Sequence, residues 1–109
     1  MKLIFRAFSV VLLLLLSIDA NAANEQQLVM EEFMIPAADS GINLYACNKH
    51  LQGVNEFPAE KILLFVHGST YPSEAGFDMK LNGLSWMDYI ASHGHDVYFV
   101  DLRGYGKST

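Results

Sequence analysis

The sequence predicts an α/β fold in which an antiparallel strand pair precedes one parallel βαβ unit. Three observations carry that expectation. Residues 31–47 alternate apolar and polar side chains on either side of a turn-rich stretch. Ile62–Val66 and Val97–Val100 are continuous apolar runs of strand length. A helical apolar stripe lies between those two runs. Alternation suits strands with one wet face, whereas unbroken apolar runs suit strands covered on both faces, as in parallel sheets.

The elements follow in chain order. "MKLIFRAFSVVLLLLLSIDANA" opens with Lys2 and Arg6, continues with an apolar run over Val10–Leu16, and closes with the small-x-small triplet Ala20-Asn21-Ala22. That layout reads as a secretory signal peptide over 1–22, cleaved after Ala22. A membrane span needs about 20 apolar residues, roughly twice this run, so no span is expected after cleavage. Residues 23–30 read as a polar lead-in. Phe33 and Ile35 alternate with Glu32 and Met34. Ala37-Ala38-Asp39-Ser40-Gly41 supplies turn chemistry. Ile42, Leu44 and Ala46 then alternate with Asn43, Tyr45 and Cys47 in a second half-buried strand. His50–Glu60 reads as a loop, with Gly53, Asn55 and Pro58 as its markers.

After the run at 62–66, the Ser-, Pro- and Gly-bearing stretch 69–83 reads as a loop. Leu84, Met87, Ile90 and Ala91 place a helix at about 84–93. Ser85 with Asp88 three residues later resembles a capping box, His93 falls in the last turn, and Gly94 is placed to cap the C-terminus. The run at 97–100 then pairs parallel with 62–66, because the crossover between them is long enough.

The chain carries 7 basic and 12 acidic residues, a formal net charge of −5. Losing Lys2, Arg6 and Asp19 with the leader makes the remainder one unit more negative. That disfavours nucleic acid as a partner. Cys47 is the single cysteine, so no internal disulfide framework exists, and it reads as a small buried side chain in a strand.

Four candidate sites can be weighed on chemistry. The ending Gly106-Lys107-Ser108 imitates a Walker A loop, but the first glycine of that motif would fall on Asp101, a carboxylate where N–H groups should cradle phosphate. A G-x-G-x-x-G fingerprint started at Gly104 puts its third glycine on Thr109, after the wrong strand. His93, His95 and Asp96 could ligate zinc, but a helix end followed by a turn accounts for them, so no metal and no cofactor is expected. A makeshift triad of Ser69 or Ser73 with His67 and Asp101 has no strained turn to activate its serine.

The two strand ends taken together give a better reading. "ILLFVHGS", then a helix, then "VYFVDLRGYGKS" resembles the N-terminal part of an α/β-hydrolase, and the resemblance spans about Glu31–Thr109. It implies that the backbone N–H of Ser69, with Thr70 the second choice, is one donor of an oxyanion hole, where a donor contributes about 3–4 kcal/mol to the transition state. It implies that His67 and Gly68 orient that turn, Gly68 by letting the chain bend sharply, and that His67 is not the catalytic base. "DLRGYGKS" is then a structural turn, with Asp101 and Arg103 bonding to neighbouring loops.

The family's nucleophile occupies G-x-S-x-G, followed in chain order by the acid and the histidine. No serine here has glycine at both −2 and +2. The triad is therefore expected beyond Thr109, which makes 23–109 the N-terminal portion of an α/β-hydrolase domain. The implied protein is an exported serine hydrolase acting on an ester, amide or similar acyl bond, with this chain alone inactive. The alternative is a non-catalytic exported α/β module that binds a ligand or partner. The family sheet also puts the strand at 62–66 in the middle, so its open edge here predicts poor solubility.

Overall fold

The computed structural model describes residues 26–109; the leader expected over 1–22 lies outside the described residues. Four strands form one mixed sheet: β1 (Leu28–Pro36), β2 (Asn43–Leu51), β3 (Ile62–Val66) and β4 (Asp96–Val100), in the order β1-β2-β4-β3. β1 pairs antiparallel with β2, β2 antiparallel with β4, and β3 parallel with β4. One helix, α1 (Trp86–Ser92), forms the crossover between β3 and β4. The expected antiparallel pair and parallel βαβ unit are both present.

The β1–β2 turn closes through Ala37 N–H to the Ile42 carbonyl at 2.9 Å, with Gly41 at φ +79°. The capping box of α1 is complete: Ser85 Oγ accepts from Asp88 N–H at 2.9 Å, and the Asp88 carboxylate accepts from Ser85 N–H at 3.1 Å. At the other end Gly94 (φ +85°) donates to the Ala91 carbonyl, and the His93 ring nitrogen Nδ1 donates to the Tyr89 carbonyl at 2.7 Å.

One sheet face packs against α1. The core holds Tyr45, Cys47, Phe77, Met87, Ala91, Val97 and Phe99, with Leu28, Phe65 and Ile90 against it. Register explains the grouping: Cys47 faces Phe99 and Phe99 faces Phe65, so the three side chains form one row across the sheet. Cys47 is fully buried and unpaired, as its place in a strand suggested.

Five local expectations need correction. Residues 28–30 are not lead-in, because ladder bonds to 49–51 draw them into β1. For the same reason His50 and Leu51 belong to β2. On β2 the core row holds Tyr45 and Cys47 and not the alternate set Leu44 and Ala46, because α1 and Phe77 lie on that side. Leu84 does not join the helical stripe. It is exposed, lies before the cap, and pairs with Leu81. The 69–83 stretch is not all loop: Glu74–Asp78 forms a π-helical turn that buries Phe77, stacked on Phe65 at 4.4 Å between ring centroids.

β3 departs from its expectation more broadly. Its run is not covered on both faces; Ile62, Leu63, Leu64 and Val66 are all exposed, because β3 is an outer strand of this sheet.

Candidate functional site

Val66 pairs with Val100, so the chain leaves β3 at His67 and β4 at Asp101 side by side. The two turns are bonded to each other. His67 is buried; its Nε2 accepts the Leu102 N–H at 2.9 Å, which leaves the proton on Nδ1 to be donated to the Gly68 carbonyl at 2.5 Å. The Tyr105 ring packs on the imidazole at 4.3 Å between centroids, and Tyr105 OH donates to the Ser69 carbonyl at 2.7 Å. With both nitrogens engaged, His67 holds a turn and is not free to take a proton from a nucleophile.

Asp101 is the hub beneath. Its fully buried carboxylate accepts Ser73 N–H at 2.8 Å and Lys107 N–H at 3.3 Å. Ser73 Oγ donates to the Val100 carbonyl at 2.7 Å. Ser108 Oγ donates to the Asp101 carbonyl at 2.7 Å and accepts Tyr45 N–H at 2.8 Å. Arg103 reaches Asp39 at 3.3 Å across the β1–β2 turn. The Asp101 and Arg103 contacts are those expected of a structural turn. Ser73, His67 and Asp101 form no triad, since the serine hydroxyl and both imidazole nitrogens are bonded elsewhere.

The Gly106-Lys107-Ser108-Thr109 ending turns inward on the chain. Lys107 N–H binds Asp101, Ser108 N–H binds the Tyr105 carbonyl, and Thr109 N–H binds the Asn43 carbonyl. Lys107 Nζ lies 3.0 Å from Glu32 and 3.2 Å from Tyr45 OH, 4.5 Å above the tyrosine ring, while Tyr45 OH donates to the same Glu32 carboxylate. These two donors hold the Glu32 carboxyl below the usual range. Burial, and then the bond to Glu32, push Tyr45 up to about 12. A phosphate-binding loop needs unspent N–H groups and a free lysine, and this ending has committed both.

The turn after β3 is different. Gly68, Ser69 and Thr70 are exposed, and the N–H groups of Ser69 and Thr70 donate no hydrogen bond among the described residues. The turn borders a hollow of about 230 Å³ walled by Phe65, His67, Gly68, Thr70, Tyr71 and Pro72. Thr70 lines that hollow and Ser69 does not. Gly68 is not in the left-handed region, and a Cβ on it would meet nothing within 4 Å. The chain bends at 69–71 without a positive φ at Gly68, and bonds from His67 and Tyr105 brace the turn.

His93 and Asp96 are drawn apart in role. His93 caps α1, and Asp96 accepts from Asn48 Nδ2 at 2.6 Å. Among the described residues no group of three His, Cys, Asp or Glu side chains could hold a metal ion. Sequence reasoning missed one buried charge, Lys49, because its partners Asp78 and Asp88 are 29 and 39 residues away. No family model, no curated protein and no solved structure matches this chain.

Proposed function

We propose that residues 23–109 are the opening part of the catalytic domain of an exported α/β-hydrolase, in which the backbone N–H of Ser69 or Thr70 is one donor of an oxyanion hole. The observation that carries this reading is the turn at Gly68–Thr70: exposed, unbonded N–H groups at a strand end, beside a hollow, on a backbone clamped from below by His67, Tyr105 and Asp101. Fixed donors of this kind stabilise developing negative charge without reorganising during the reaction. The strand order supports the reading, because an antiparallel pair leads into the parallel βαβ unit and leaves β3 able to accept a further strand. The substrate class is an ester, amide or similar acyl compound, attacked by a serine supplied from further along the protein, since no serine here sits in a G-x-S-x-G elbow.

Reading the gene past codon 109 tests the proposal. We expect an open frame with an apolar strand followed by G-x-S-x-G, and a protein from that frame whose serine is labelled by a fluorophosphonate. A frame that continues without that motif would overturn the proposal and favour a non-catalytic binding module.

A further inference from the structure

Lys49 lies on β2 with its ammonium group buried between the sheet, α1 and the Glu74–Asp78 turn. Nζ is 2.5 Å from Asp78 Oδ1 and 2.7 Å from Asp88 Oδ1, and all three side chains are nearly sealed from water. Ser85 Oγ donates to Asp78 Oδ1 at 2.7 Å, Ser85 N–H donates to Asp88 Oδ2 at 3.1 Å, and Lys80 approaches Asp88 from solvent at 3.8 Å. Two cations therefore meet two carboxylates. Burial opposes the charge on Lys49, but the hydrogen bonds it donates to its two aspartates outweigh burial and raise its pKa. Burial likewise opposes the charge on Asp88, and Lys49 with Ser85 outweighs it and lowers the carboxyl. A buried ion pair of this kind contributes little net stability compared with apolar packing, so its position matters more than its strength.

Asp78 ends the segment that begins at the Gly68–Thr70 turn. Within that segment Phe77 stacks on Phe65, and a Cβ on Gly76 would touch the Tyr71 ring at 3.4 Å. Tyr71 adjoins Thr70. Contacts thus run without a gap from Lys49 through Asp78, Phe77 and Gly76 to Tyr71 and the turn. On its outer side the segment borders an open cleft whose walls include Met30, Lys49, Pro72, Glu74, Asp78 and Met79; Ser73 ties its near end to β4 through Asp101 and the Val100 carbonyl, and Lys49 holds its far end at Asp78.

We propose that Lys49 is a positioning residue for the Gly68–Thr70 turn, acting through Asp78 and the packed 71–78 segment. This rests on the reading of that turn as an oxyanion-stabilising element, although the clamp itself is tested without substrate.

Hydrogen-exchange mass spectrometry of the purified chain, unchanged and as Lys49→Met, Lys49→Arg and Asp78→Asn, reads the coupling. In Lys49→Met, the bonded amides of the 71–78 segment, Ser73 N–H among them, should exchange about tenfold faster while β4 peptides keep their rates, and Lys49→Arg should restore most of the protection. Should Lys49→Met not fold, Asp78→Asn, which leaves Lys49 paired with Asp88, should give the same local acceleration. Unchanged exchange at the bonded amides of 71–78, or acceleration by one common factor in every peptide, would overturn the proposal by reducing Lys49 to a general stabiliser. Because no substrate enters the measurement, a failed hydrolase assignment would leave this result standing, and the reverse also holds.

Discussion

A methyl group on Gly106 would stand 2.0 Å from Asp101 Oδ2 and 2.7 Å from its Cγ, and the residue's φ of +52° already lies in the left-handed region. Asp101 cannot retreat, because its carboxylate is bonded to the N–H groups of Ser73 and Lys107 in a fully buried place. Gly106→Ala should therefore cost the left-handed penalty of about 1–2 kcal/mol and a further 1.5–3 kcal/mol, roughly, for each charged hydrogen bond it displaces. Gly53→Ala is the control: φ is +82° but a Cβ there meets nothing within 4 Å, so only the first cost applies. Urea denaturation of both variants checks this, and equal losses would refute the packing argument. At this scale the resemblance implied that Asp101 to Ser108 is a structural turn, and the bonds of Asp101, Arg103 and Ser108 agree with it. The bonds from His67 and Tyr105 that brace the Gly68 turn join residues 35 and 36 apart, and no local pattern reports contacts of that range.

Tyr45, Cys47 and Lys49 occupy one face of β2, and each holds its proton more tightly when folded. Burial, with a smaller contribution from the Asp78 charge, pushes Cys47 up to about 11; burial and the Glu32 bond push Tyr45 up to about 12; the two aspartates raise Lys49 against the effect of its burial. Unfolded, these groups titrate at roughly 8.5, 10 and 10.4. Above those values the unfolded chain has lost protons that the folded chain keeps, so stability falls as pH rises. Their contribution is complete below about pH 8.5 and is lost as pH climbs through the folded values. We expect the urea midpoint to decline from about pH 8.5 upward, and Cys47→Ala to flatten the part of the slope between about pH 9 and 11. Parallel slopes for the two proteins would contradict it. None of this was legible from the alternation in 42–47, which marks a strand but not which of its faces meets a helix; that choice was made by α1 and Phe77 arriving from later in the chain. Elements whose signal is local, the run at 62–66 and the Ser85–Asp88 capping box, were legible almost to the residue.

The described residues cover one face of the sheet and leave the other open. Strand register aligns Phe33, Ala46, Val100 and Val66 in a row across all four strands on the face opposite Phe99, and Ile35, Ile62 and Leu64 stand exposed on that same side. β3 adds an unpaired ladder edge, and no charge interrupts Ile62–Val66. Edge strands in stable monomers are short, bulged, charged or covered; β3 is short, but it has neither charge nor cover. A large exposed apolar patch marks a surface that another surface meets. In the proposed hydrolase that surface is the remainder of the domain, and without it the same edge and face are available to a second copy of the chain. Residues 23–109 expressed alone should therefore associate as concentration rises, seen as increasing mass in sedimentation, and Ile62→Lys with Leu64→Lys should suppress the association by charging both the edge and the open face. Leu64, 59% exposed, has no packing to lose, so the change should not cost the fold. A monodisperse monomer that melts cooperatively at every concentration would mean that the open face is tolerated as it stands, and would weaken the case that this sheet awaits further strands.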